Sequence, residues 1–173
     1  MSRDFHLSGR SPVIACEGMA ATSHPLASLA AIDTLRAGGN AADAAVAAVA
    51  VLCVVEPQMT GIGGDCFAMI ADPGQPVWGY NGCGRAGAAA STEALLAQGM
   101  RAIAGDSIHA VTVPGAVDAW AAILKAHGRF GLDRALAPAI RLAEEGFPVA
   151  ARVAWDWGQV VAKLQADRGA ARH

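Results

Sequence analysis

Apolar positions recur with a helical period in two neighbouring stretches near the start of the chain. Between Pro25 and Arg36, the residues Leu26, Leu29, Ala30, Ile32 and Leu35 lie close to one helical face. Ser23 is the expected N-cap, Pro25 falls in the first turn where its missing N–H costs nothing, and Gly38 and Gly39 end the helix. Asn40 caps a second helix over Ala41–Val55, whose small side chains suit close packing on several sides before Pro57 stops it. That helix is expected to be central.

The period then changes. Residues 61–64 are glycine-rich and allow a tight turn into a strand at 66–71, Asp72-Pro73-Gly74 is a turn signal, and a second strand follows at 77–81, so the pair reads as a hairpin. Residues 13–21 alternate loosely and read as a strand or bent strand pair. Ser91-Thr92-Glu93 opens a short helix ending near Gly99. Beyond Pro114 the pattern is helical over Ala116–His127, Leu132–Glu145 and residues 150–166, separated by Gly128, Gly131 and Gly146-Phe147-Pro148. Two helices lie between strands and a helical half follows, which points to α+β or a layered α/β architecture.

Composition narrows the class. A chain of 173 residues can bury one sizeable core, and 54% hydrophobic content with a mean hydropathy of +0.35 implies surface meant for another polypeptide. With 13 basic and 15 acidic residues, a net charge of -2 and no basic run, nucleic acid is not an expected partner. The longest apolar run, 44–55, is too short to cross a bilayer and is bracketed by Asp43 and Glu56, so no membrane partner is expected either. Residues 1–12 carry Arg3, Asp4 and Arg10 without an apolar h-region; they read as a tail preceding a single domain over 13–173, and the expected location is cytoplasmic. Cys16, Cys53, Cys66 and Cys83 show no Cys-x-x-Cys pairing and read as reduced thiols.

Few residues offer chemistry. Gly61-Ile62-Gly63-Gly64-Asp65-Cys66 leaves a helix and opens a strand, the reverse of a dinucleotide loop, so it reads as a tight backbone crossing. His6, His24, His109, His127 and His173 are scattered without metal-ligand spacing, Glu144-Glu145 falls on a solvated helix end, and no serine sits in a Gly-x-Ser-x-Gly elbow. No cofactor or metal is expected. Of the thiols, Cys66 and Cys83 are candidate nucleophiles, Cys83 the more exposed of the two, with inert thiols as the competing reading. Arg85, in Asn81-Gly82-Cys83-Gly84-Arg85-Ala86-Gly87 directly after a strand, could grip a substrate carboxylate bidentately; an ordinary solvated arginine is the alternative.

The order of several short motifs resembles the γ-glutamyltransferase family of N-terminal-nucleophile hydrolases. The matching residues are Gly18-Met19-Ala20-Ala21, Ser23-His24-Pro25-Leu26-Ala27, Leu35-Arg36-Ala37-Gly38-Gly39-Asn40-Ala41 and Asp43-Ala44-Ala45. Val55-Glu56-Pro57, Gly61-Ile62-Gly63-Gly64, Phe67, Val113-Pro114-Gly115, Trp120 and Gly128 continue the match, followed by Pro138-Ala139-Ile140, Leu142-Ala143-Glu144 and Gly146-Phe147. The resemblance implies part of an αββα sandwich, built by a precursor that cuts itself into a large and a small subunit. It also implies acyl transfer through the N-terminal threonine of the small subunit, whose own α-amine is the base. Thr22, Thr34, Thr60, Thr92 and Thr112 do not resemble that processing-site threonine, so this chain matches the first portion of the large subunit and is expected to be inactive alone. Its expected partners are the rest of the large subunit, the small subunit and a small-molecule amide.

One position departs from the family. An ungapped match places Cys83 where γ-glutamyltransferases carry the arginine that grips the glutamyl α-carboxylate, with Arg85 two residues later and Gly87 in place of a proline. A two-residue shift on an extended segment keeps the face but moves the side chain about 6–7 Å. That placement suits a related amidohydrolase or acylase acting on a different acid. A non-catalytic structural or carboxylate-binding domain derived from the family is the alternative function.

Overall fold

The structure, a computed structural model, describes residues 12–105, 107–167 and 169–172; the expected tail, apart from Pro12, lies outside them, as do His6 and His173. In chain order the elements are α1 (Pro25–Arg36), α2 (Ala41–Val55), β1 (Cys66–Ile70), β2 (Trp78–Gly82), α3 (Thr92–Ala97), α4 (Ala116–His127), α5 (Leu132–Glu145) and α6 (Ala151–Ala166). The expected helices and hairpin are thus present, with ends that agree within one or two residues.

α2 is the central element because almost every side chain on it is small enough to let neighbours approach. It packs against α1, α4 and α5, with Val46, Val51 and Val55 fully buried. Its start is fixed by a reciprocal capping box: Asn40 Oδ1 accepts from the Ala42 and Asp43 N–H groups, and Asp43 Oδ2 accepts from Asn40 N at 2.7 Å. Asp43 is itself fully buried and also accepts the Arg129 and Phe130 N–H groups at 3.0 Å, tying the α4–α5 turn to the first turn of α2. The Asn40 side-chain amide donates to the His127 carbonyl, a second tie to the end of α4.

The helix α1 is capped differently from the sequence reading. His24, not Ser23, is the N-cap, its Nδ1 accepting from Leu26 N at 3.2 Å. The Ser23 side chain is instead directed to the end of α2, where its hydroxyl donates to the carboxylate of Glu56, the C-cap, at 2.5 Å. Gly38, at φ +92, makes the left-handed turn out of α1.

β1 and β2 form an antiparallel hairpin in register from Cys66 opposite Gly82 to Ile70 opposite Trp78. Cys66, Ala68, Ile70, Trp78 and Tyr80 turn toward α4 and the helical core, whereas Phe67 and Met69 are 69% and 81% exposed. Trp78 stacks on Tyr80 and against the His127 ring, whose Nδ1 lies 3.7 Å from Asp72 in the hairpin turn.

The strand expected at 13–21 is not formed among the described residues; that stretch is neither helix nor strand and bends at Cys16–Glu17. Alternation describes a backbone ready to pair, and a ladder also needs a neighbour to pair with. On α6 only Val153 is buried, and Trp155, Trp157 and Val161 remain exposed. Exposed apolar side chains thus occur on α6 and on the outer hairpin face, and also outside them, at Ile14, Met59, Ile62 and Ile108 among others.

Candidate functional site

Three short segments meet at the mouth of the hairpin. The Gly64 carbonyl accepts from Gly115 N and Ala116 N at 3.0 and 2.9 Å, so the glycine-rich loop occupies the first N–H groups of α4. Asp65 then reaches the loop after β2: its Oδ1 accepts from Gly84 N at 2.8 Å, and its Oδ2 accepts the Cys83 thiol at 3.5 Å. On the other side Val113 N donates to the Arg85 carbonyl at 2.9 Å.

The glycines here are demanded by contact. A Cβ on Gly84 would stand 1.6 Å from the Val113 carbonyl oxygen, and one on Gly115 would stand 2.3 Å from that of Gly82. The crowding therefore falls on Gly84 and Gly115 and not on the loop where the sequence placed it: a Cβ on Gly61 or Gly63 would meet nothing within 4 Å, and one on Gly64 only the Gly61 carbonyl oxygen at 3.9 Å. The Gly64 carbonyl takes two of the N–H groups at the start of α4, those of Gly115 and Ala116.

Arg85 leaves this clamped backbone with an exposed side chain that makes no hydrogen bond or ion pair with the described residues. Its backbone is held at the Gly84 N–H and at its own carbonyl, so the guanidinium projects from a fixed point. Cys83 is exposed, but the hydrogen bond to Asp65, with some desolvation and the charge of that carboxylate, pushes its thiol above the ordinary range. A group held in its thiol form is a poor nucleophile. Burial pushes the Cys53 and Cys66 thiols up as well, and all four cysteines are unpaired.

The other candidates are dispersed. Ser91 caps α3 and Ser107 caps a 3-10 turn at Ile108–Ala110. Glu144 and Glu145 are exposed on the last turn of α5, and His24 and His127 are engaged as described. Among the described residues no group of histidines, cysteines and carboxylates is arranged to hold a metal ion, and no helix is long and apolar enough to cross a membrane. Sequence reasoning missed Asp65, because an aspartate after glycines reads as a turn residue. It also missed Asp43, although Asn40-x-x-Asp43 carries the spacing of a capping box.

Comparison with known proteins gives this architecture its relatives. The glutathione hydrolase-like YwrD proenzyme of Bacillus subtilis is 45% identical over 141 residues, covering 80% of this chain and 26% of that protein. The oxamate amidohydrolase proenzyme of Klebsiella pneumoniae is 41% identical over 144 residues, covering 80% of this chain and 27% of its own length. The chain thus spans about a quarter of the curated relatives it matches. Among solved structures, Helicobacter pylori gamma-glutamyltranspeptidase superposes with a TM-score of 0.84 at 31% identity, over 92% of this chain and 47% of that one. A cephalosporin acylase from Bacillus halodurans gives 0.79 at 40% identity, over 92% and 31%. The fold is accordingly the α+β, N-terminal-nucleophile hydrolase type, of which the helices and hairpin are a part. The gamma-glutamyltranspeptidase family model matches residues 27–173, and the chain belongs to that family.

Proposed function

We propose that residues 13–173 are one domain, the N-terminal portion of the large subunit of an amide-cleaving enzyme of this family. In this reading an N-terminal threonine outside these 173 residues attacks the amide carbonyl. Its own α-amine takes the proton, and the acyl group passes from the threonine oxygen to water or an amine. The enzyme's partners are the rest of the large subunit and the small, threonine-bearing subunit, its substrate is a small γ-glutamyl or related amide, and it works in the cytoplasm. The observation that carries the reading is the match to relatives named as glutathione hydrolase-like, oxamate amidohydrolase and acylase proenzymes across 80% or more of this chain.

Arg85 is the substrate-binding residue of this portion. A guanidinium on a backbone held from two sides loses little freedom when it meets a carboxylate in a bidentate pair. The test uses a completed enzyme in which this chain replaces the matching quarter of the Bacillus subtilis relative. Arg85→Ala is expected to raise KM for acyl donors bearing a free carboxylate by about 10- to 100-fold and to leave carboxylate-free donors within about twofold. Equal effects on both donor classes, or none, contradict the assignment.

A further inference from the structure

We infer that Asp65 sets the charge specificity of the acyl-donor site at Arg85: its carboxylate is an anion filter that accepts a donor bearing one carboxylate and penalises a donor bearing a second anionic group close to the first. The inference deepens the assignment of Arg85 as the substrate-binding residue and rests on it. Both charges stand on anchored backbone. The residue before Asp65 is tied by its carbonyl to the Gly115 and Ala116 N–H groups, and Cys66 after it opens β1. Asp65 Oδ1 accepts from Gly84 N at 2.8 Å, one residue before Arg85, whose own carbonyl accepts from Val113 N at 2.9 Å. Standard backbone dimensions then put the Arg85 Cα within about 8 Å of the Asp65 carboxylate.

The two charges are not spent on each other or on a third group. Asp65 and Arg85 are both exposed, and among the described residues neither takes part in an ion pair. The Asp65 carboxylate is met by the Gly84 amide and, at 3.5 Å, by the Cys83 thiol. Both are neutral donors, so they fix its place and leave its charge uncompensated. A surface carboxylate ordinarily swings on its side chain, whereas this one is pinned by groups 18 and 19 residues away. In the three segments that meet there, 61–66, 81–87 and 111–118, Arg85 is the single cation, against Asp65 and Asp118. One guanidinium holds one carboxylate in a bidentate pair. A second anion on the same donor finds no cation of its own in these segments and meets the field of Asp65, and such like-charge juxtaposition is how a site rejects a wrong partner.

The test reads KM in the completed enzyme carrying this chain, with butyryl, glutaryl and 3-carboxyglutaryl p-nitroanilides, whose acyl groups bear none, one and two free carboxylates. The critical variant is Asp65→Asn, which removes the charge and keeps an oxygen for the Gly84 N–H. At about 0.01 M salt, where the Debye length is about 30 Å, it is expected to lower KM for the two-carboxylate donor about 5- to 10-fold relative to the one-carboxylate donor. The butyryl donor should stay within about twofold, and the gain should vanish at about 1 M salt, where the Debye length is about 3 Å. A KM ratio unchanged by Asp65→Asn overturns the inference. So does an equal change from Asp118→Asn, which removes the exposed carboxylate on the first turn of α4. A second readout needs no turnover: the rate of Cys83 alkylation by anionic iodoacetate divided by that for neutral iodoacetamide. Any change in the thiol itself acts on both reagents and cancels. Asp65→Asn is expected to raise that ratio about threefold or more at Cys83 and not at the exposed Cys16; a ratio that does not rise overturns the filter. If Arg85→Ala alters all three donors alike while Asp65→Asn still relieves the two-carboxylate donor, the assignment of Arg85 falls and the filter stands.

Discussion

Asp65 accepts the Gly84 backbone N–H at 2.8 Å although 19 residues separate them, and the same carboxylate takes the Cys83 thiol on its other oxygen. One side chain therefore fixes the backbone that carries Arg85 and also silences the neighbouring thiol. Replacing Asp65 with Ala removes the hydrogen bond and the charge that hold the Cys83 pKa up, so that pKa should fall and the thiolate fraction near pH 8 should rise several-fold. Alkylation by iodoacetamide as a function of pH, with the site read by mass, checks this. A Cys83 rate unchanged by Asp65→Ala would remove the coupling.

At Gly84, Ala is expected to be destabilising by about 2–3 kcal/mol, since its Cβ would fall 1.6 Å from the Val113 carbonyl oxygen and backbone rather than a flexible side chain must yield. Gly87, three residues on, has nothing within 4 Å of a built Cβ, and Gly87→Ala is the control. Urea midpoints for both variants would separate a true backbone crossing, which predicts a large difference, from a merely flexible loop, which predicts none.

Asp43 is the polar hinge of the helical layer. Its fully buried carboxylate serves N–H groups from Asn40, Arg129 and Phe130. Asp43→Ala leaves those donors without an acceptor and is expected to cost about 3 kcal/mol or more, with fast amide exchange at the α4–α5 turn. A variant that keeps its midpoint within about 0.5 kcal/mol would show that the buried acceptor is dispensable.

Ser23 and Glu56 join the cap regions of α1 and α2. Ser23→Ala should cost about 1–2 kcal/mol, the range for a hydrogen bond to a charged group, and Glu56→Gln should lose less because an amide oxygen still accepts. If Ser23→Ala destabilised only by the loss of a helix cap, adding Glu56→Gln would be additive; strong non-additivity is expected.

Most of the fold was legible because helical periodicity and glycine or proline punctuation act within a few residues. The boundaries of α4 and α5 follow from Gly115, Gly128, Gly131 and Gly146 flanking apolar stripes. What failed involved partners far away in sequence. Ser23 has the chemistry of a cap, but its side chain is directed to Glu56, 33 residues later, and the cap is His24. Residues 13–21 have the alternation of a strand without a neighbour, and local pattern cannot supply one. At the site, Arg85 was visible as an arginine in a glycine-rich loop, whereas Asp65 became visible only once the chain brought it beside Gly84. The same limit hid the cluster around Asp43, whose acceptors for Arg129 and Phe130 span 86 and 87 residues.

The central claim is that this chain is part of a self-processing enzyme whose nucleophile lies outside it. The most direct test is the intact mass and N-terminal sequence of every polypeptide produced from the native gene. The account predicts two chains, the second beginning with threonine. A single product of 17.5 kDa would contradict it.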